Sequence, residues 1–200
     1  CTSLTKISFD GWETERLTDV AYLFYKCESL QIADVSDLDT GKVTTMKRVF
    51  YGCGALESIE GLNNWKTSNV VNMEQMFLGV GAKSSAMTEI DISNFDSSSV
   101  TVTSFMFNGC TNIKTVRFGE NWDMAKVTNT NNMFNGCTSL QTINVAVDWN
   151  TQKLTNDGAM FKGCINLKGG AGTTYKDTNP TDKTYAHVDG GEGNPGYLTL

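Results

Sequence analysis

Six cysteines, one histidine and a recurring set of carboxylates are the residues of this chain equipped for chemistry. Cys1, Cys27 and Cys53 stand 26 residues apart, and Cys110, Cys137 and Cys164 stand 27 apart. In an exported chain six cysteines suggest three disulfides. Val80, which follows Phe77-Leu78-Gly79 as the cysteines follow Phe50-Tyr51-Gly52 and its equivalents, fills the missing position of the series. A column that accepts valine fits a small buried hydrophobe. Stacked copies also bring Cα atoms within the roughly 4.4–6.8 Å that a disulfide tolerates, so buried free thiols and adjacent bridges both stand at this stage. Cys1 has a further alternative, the acylated first residue of a mature lipoprotein.

His187 lies in a glycine-rich tail with no serine, cysteine or carboxylate placed to complete a triad, which argues against nucleophilic catalysis and for a structural histidine. One histidine and period-spaced cysteines give no zinc-ligand pattern, and no cofactor motif is present, so neither metal nor cofactor is expected. Asp189-Gly190-Gly191-Glu192-Gly193-Asn194 is close to a calcium-binding Gly-Gly-x-Gly turn but is a single copy, and a plain glycine-rich turn is the simpler reading.

The elements that would position these groups follow from the repeat. Leu4, Leu30, Leu56, Met87, Ile113, Leu140 and Leu167 form one column; Ile7, Ala33, Ile59, Ile90, Val116 and Ile143 form a second, and Phe9, Val35, Gly61, Ile92, Phe118 and Val145 a third two residues on. That alternation is a short strand with one buried face. An aromatic column follows at Trp12, Trp65, Phe95, Trp122 and Trp149, with Leu38 as its aliphatic member, and assigns all four tryptophans to the core. Thr14, Thr40, Thr67, Ser97 and Thr151 are suited to cap a helix, and Val43, Met46, Val49 and Phe50 fall at i, i+3, i+6 and i+7. The spacing predicts an α/β solenoid with one short parallel strand and one short helix per repeat of 26–30 residues. Residues 1–167 hold six repeats and the start of a seventh, and 168–200 are expected to cap the stack through Tyr175, Tyr185, Tyr197 and Leu198, with a linker to another domain as the alternative. The array begins in mid-repeat, so a monomeric module of a longer chain is expected.

Sixteen basic against twenty-two acidic residues give a net charge of −6, the wrong sign for backbone-dominated nucleic-acid binding. No apolar run is long enough to span a membrane. Function then falls to the outward positions between the two inward strand columns: Ser8, Asp34, Glu60, Asp91, Arg117 and Asn144. Three acidic side chains there suit a basic partner or a weakly held calcium, against a solvated surface carrying an Asp91–Arg117 pair. The absence of an aromatic in this column weakens stacking on a sugar.

The units from Val127-Thr128-Asn129 to Asn132-Met133-Phe134-Asn135-Gly136-Cys137-Thr138-Ser139-Leu140, and Glu89-Ile90-Asp91-Ile92-Ser93-Asn94-Phe95-Asp96, resemble the BspA-like leucine-rich repeats of bacterial surface proteins. The ending from Tyr185 to Thr199 looks like the segment that closes such arrays in Bacteroidetes. The resemblance covers essentially the whole chain. It implies a cell-surface or secreted, non-catalytic adhesion module whose concave sheet face binds a host or microbial surface protein or glycan. The alternative is a structural spacer that projects another domain.

Overall fold

In the computed structural model, which describes residues 1–200, the chain winds as a stack of short turns, a parallel β-solenoid. Strands β1 (Lys6–Ser8), β2 (Ile32–Asp34) and β3 (Ser58–Glu60) pair in parallel as one sheet. Strands β4 (Glu89–Ile92), β5 (Thr115–Phe118), β6 (Thr142–Asn144) and β7 (Leu198–Thr199) form a second, also parallel and in sequence order. The registers follow the repeat, with Ile7 beside Ala33 beside Ile59, and Ile90 beside Val116 beside Ile143.

The expected helix is not formed. The only helical segments are three 3-10 turns, at Leu62–Asn64, Lys183–Tyr185 and Gly191–Gly193. Consecutive β-turns stand in the helix's place. In each Phe-x-Gly-Cys unit the last N–H donates to the Phe carbonyl, as Cys53 to Phe50, Cys110 to Phe107 and Cys137 to Phe134, each at 3.1 Å. The glycine between them has positive φ, at 73°, 69° and 76° for Gly52, Gly109 and Gly136. That is a type II turn with glycine at its third position. A second positive φ falls four residues earlier, on Arg48, Phe105 and Asn132. Two left-handed residues per segment forbid an α-helix. The backbone donors turn outward instead: Met46, Arg48, Phe50 and Gly52 donate to the carbonyls of Asn72, Glu74, Met76 and Leu78 in the next turn. The apolar spacing of a helix face is thus met by a ribbon of turns that buries the same side chains. Of 102 backbone hydrogen bonds only 11 lie within strands or 3-10 helices, and the ribbon shares with the sheets the work of holding the stack together.

Lys26 sits at φ 55° where the later copies of the turn have glycine. Lys26→Gly is expected to raise stability by about 0.5–1 kcal/mol, and Gly136→Ala to lower it by about 1–2 kcal/mol, in paired urea titrations.

The supposed N-cap hydroxyls also serve the stack. Thr40 Oγ1 donates to the Lys66 carbonyl at 3.1 Å and accepts from the Lys66 N–H at 2.7 Å, and Thr67 does the same to Asp96 at 3.0 and 2.7 Å. Thr14 bridges in the same way to Asp37 and Asp39. These side chains are buried because each repeat uses them to bind the next.

Inside the stack Phe24, Phe50, Phe77, Phe107, Phe134 and Phe161 form a ladder with centroids 5.2–5.8 Å apart and ring planes within 4–18° of parallel. The thiols of Cys53, Cys110, Cys137 and Cys164 donate to the carbonyls of Phe24, Phe77, Phe107 and Phe134 at 3.0–3.1 Å. All six cysteines are free, and all but Cys1 are buried. Burial pushes the Cys53 and Cys164 thiols up to about 12. The assignment of every tryptophan to the core needs one correction: Trp65, Trp122 and Trp149 are buried, but Trp12, in the first turn, is 63% exposed and touches Phe9 edge-on.

At the other end, residues 168–200 take up the donors that elsewhere reach a following turn. Phe161 N–H donates to the Thr181 carbonyl at 2.9 Å, Gly163 N–H to Tyr175 Oη at 3.1 Å, and Val145 N–H to the Thr199 carbonyl at 2.8 Å. Tyr197, fully buried, meets the Phe161 ring edge-on at 5.2 Å and packs beside Tyr175 and Tyr185.

Candidate functional site at the break between the sheets

The outward column lies on the solvent side of both sheets. Ser8, Asp34 and Glu60 occupy adjacent registers on β1–β3, and Asp91, Arg117 and Asn144 adjacent registers on β4–β6. The structure therefore brings the six together as two triplets and not as one row. Several have local work to do. Asp34 Oδ1 accepts from the Ser36 N–H at 3.1 Å, Asp91 Oδ1 from Ser93 at 2.9 Å, and Ser8 Oγ from Asp10 at 3.3 Å. Each turns the chain as it leaves its strand. The contacts from Ser36 hold the Asp34 carboxyl below its ordinary range.

Arg117 is not paired with Asp91, its register neighbour. Its guanidinium grips Glu89, with Nε 2.7 Å from Oε1 and Nη2 3.4 Å from Oε2. Glu89 is two residues back on β4 and shares the outward face, so the diagonal partner wins over the directly opposite one. Asp91 is left without a cationic partner.

β3 and β4 are not hydrogen-bonded, so each sheet presents an open edge to the other. Two departures from the repeat coincide with the break. Met87 follows Val80 by seven residues, whereas Leu56 follows Cys53 by three. The extra chain folds back over the preceding turn, where Lys83 N–H donates to the Gly54 carbonyl and Lys83 Nζ reaches Glu28 Oε2, both at 2.8 Å. Asn112 Nδ2 fastens it from the other side, donating to the carbonyls of Gly81, Ala82 and Ser84 at 3.0–3.3 Å. The second departure is Gly61, at φ 78°, in a column that elsewhere carries a large side chain. A Cβ there would lie 2.3 Å from Ser36 Cα, so no other residue fits. The chain turns at Gly61 into the Leu62–Asn64 3-10 helix, which no other repeat has.

The result is an open groove of about 550 Å³ between the sheet edges. Ile59, Leu62, Met87 and Ile90 line its floor, and Glu57, Glu89 and Asp91 its rim. With Glu89 held by Arg117, the charge left there is that of Glu57 and Asp91.

A second surface feature escaped the sequence reading. On the turn ribbon Tyr25 and Tyr51 stack at 4.9 Å, Tyr22 meets Tyr25 edge-on at 5.5 Å, and Arg48 lies 5.6 Å from the Tyr22 and Tyr51 ring centres. Read as a helix, the segment gives no reason to align positions 22, 25, 48 and 51; read as stacked turns, it places them side by side. The signal was the tyrosine pair Tyr25 and Tyr51, one repeat apart.

His187 belongs to the tail, where its Nδ1 lies 3.0 Å from the Val188 carbonyl and its own carbonyl accepts from Leu198. Asp189 is enclosed. It accepts from the N–H groups of Ala171, Thr173, Gly191 and Gly196 and from Thr173 Oγ1, at 2.6–3.4 Å. Burial would raise its pKa, but the hydrogen bonds from Thr173, Gly191 and Gly196 outweigh that and hold the carboxyl at about 2. No cluster of three or more histidine, cysteine or carboxylate side chains is arranged to hold a metal ion.

No curated protein and no solved structure matches the chain. A protein-family model matches it twice in succession, over residues 1–84 and 79–185, so that the two matches run through both sheets and into the tail. The chain therefore belongs to the family described as Mycoplasma protein of unknown function, DUF285, here built as a parallel β-solenoid of short repeats.

Proposed function

We propose that this chain is a non-catalytic interaction module of a cell-surface or secreted bacterial protein, binding a protein or glycan partner on the outward, concave face of its sheets. The observation that carries the reading is the groove between β3 and β4, where a regular stack is interrupted, two strand edges lie open and carboxylates stand uncompensated at the rim. The resemblance of the repeats and of the Tyr185–Thr199 ending to BspA-like proteins of Bacteroidetes supports the location and the adhesive role. The Asp189 carboxyl at about 2 and the Cys53 and Cys164 thiols at about 12 lie far from the neutral range that suits a general acid or base, which fits structural roles for these three groups. No helix is long and apolar enough to cross a membrane.

The unbroken ribbon of inter-turn hydrogen bonds, which continues past the sheet break from Met73, Gln75, Phe77 and Gly79 to Val102, Ser104, Met106 and Asn108, favours a second reading as a rigid spacer. One experiment separates the two. Binding of the purified chain to arrayed glycans and host extracellular-matrix proteins is compared with that of the triple variant Asp34→Asn, Glu60→Gln, Asp91→Asn. The amides keep an oxygen for the turn contacts of Ser36 and Ser93 while removing the charge. A saturable hit weakened about tenfold or more in the folded variant is expected, equivalent to about 1.4 kcal/mol. Undiminished binding moves the site off the sheets, and the absence of any hit leaves the spacer.

A further inference from the structure

The open edge of β4 accepts an extended peptide of alternating basic and apolar residues; we infer that such a segment, supplied by a protein partner, adds to the sheet as an extra parallel strand in the groove. This rests on the interaction-module reading and names the class of partner.

The occupant is read from the opposite edge of the same strand. There β4 pairs with β5, whose sequence is Thr115-Val116-Arg117-Phe118. Val116 lies beside Ile90 on the buried face. Arg117 lies beside Asp91 on the solvent face and donates to Glu89. A strand on the free edge meets the same two faces of β4, because side chains alternate and the edge groups are backbone. Its inward residues meet Ile90 and the groove floor of Ile59, Leu62 and Met87, and its outward residues meet Asp91 and Glu57. Glu89 is already engaged by Arg117, so Asp91 and Glu57 select for lysine or arginine on the incoming strand. The groove volume falls within the ~300–1,000 Å³ usual for a ligand cleft. Backbone pairing provides affinity and the alternating pockets provide specificity, the pattern of β-strand addition. Every other boundary between successive turns in the two sheets is closed by strand pairing, so this break is the interior boundary at which such addition is open.

The probe is the acetylated and amidated pentapeptide of residues Lys114–Phe118, titrated into the whole chain and followed by amide shifts in ¹⁵N spectra. Saturable changes are expected at Glu89–Ser93 and at Ser58–Gly61. N-methylation of one alternate pair of peptide amides should weaken binding about tenfold or more, by removing its ladder hydrogen bonds, and methylation of the other pair should weaken it less. Glu57→Gln with Asp91→Asn should weaken it several-fold. Ala86→Trp, at an exposed position on the groove wall, should block it without touching the core. Shifts centred elsewhere, equal binding of all methylated peptides, or no saturation at millimolar peptide would overturn the inference. If the peptide fails while an array partner is still lost on neutralising Asp34, Glu60 and Asp91, only the strand-addition mode falls. If both fail, the interaction reading falls with it.

Discussion

Phe107→Ala is expected to lower the unfolding free energy by about 3–5 kcal/mol, the range for emptying a buried phenylalanine site. Phe107 is fully buried between Phe77 and Phe134, at 5.5 and 5.2 Å, with Phe118 edge-on at 6.0 Å. Its neighbours cannot collapse into the space, because each is tied to the next turn through its own backbone: Phe77 N–H donates to Met106 and Phe134 N–H to Met160. In a stack of this kind stability is close to a sum of nearest-neighbour interfaces. A change in the middle therefore weakens two interfaces at once. The measurement is urea unfolding followed by tryptophan fluorescence, with Phe24→Ala as comparison. Phe24 has one ladder neighbour, Phe50, and its loss should cost less. Equal losses at the two sites, or a loss at Phe107 under about 1 kcal/mol, would show that the ladder is not the element coupling the repeats.

Asp189→Asn should cost about 3 kcal/mol and loosen the tail selectively. The carboxylate collects five donors, and an amide in its place offers one oxygen and turns an N–H₂ group toward the rest. The surroundings leave no room to adjust: a Cβ on Gly169 would lie 2.6 Å from Asp189 Cβ and 2.3 Å from the Gly196 carbonyl oxygen. The same residue sets a pH dependence. Its carboxyl titrates at about 2 in the folded chain against 3.8 ordinarily, so the unfolded state binds the proton more readily. This contribution, about 2 kcal/mol, is complete above the ordinary carboxylate range and is lost as pH falls through 4 toward 2. Urea midpoints of the parent chain should fall across that window more steeply than those of Asp189→Asn. Hydrogen exchange should show the loss first at Tyr197 and Leu198, whose N–H groups donate to Tyr185 and His187 beside it. Parallel acid curves for the two proteins would remove Asp189 from this role.

The repeat, its strand columns and its register were legible in the sequence because each inward position recurs with one chemistry: Ile7, Ala33 and Ile59 are paired in the structure as the alignment has them. The expected helix fails because Val43, Met46, Val49 and Phe50 satisfy a helical stripe and a stacked turn equally well. The discriminating residue is Gly52, whose recurrence one place before the cysteine column marks a left-handed turn position and not a helix interior. Thr40 and Thr67 have the residue type of helix caps, but their partners lie one repeat away. The site was visible only in part. The outward column could be aligned from sequence, but the break between Glu60 and Glu89 depends on where four extra residues fold, and that is set by Asn112 and Glu28, remote in sequence from both strands.

The inter-turn hydrogen bonds run along the stack, so the molecule has a mechanical direction. Tension applied between its two ends pulls those bonds open in line, one turn after another, in place of shearing a whole sheet at once. Each turn that yields releases about 26 residues, on the order of 90 Å of extended chain in exchange for roughly 5 Å of stacked rise. A stack built this way lengthens in small steps under load, and the pieces that remain stacked keep their surface.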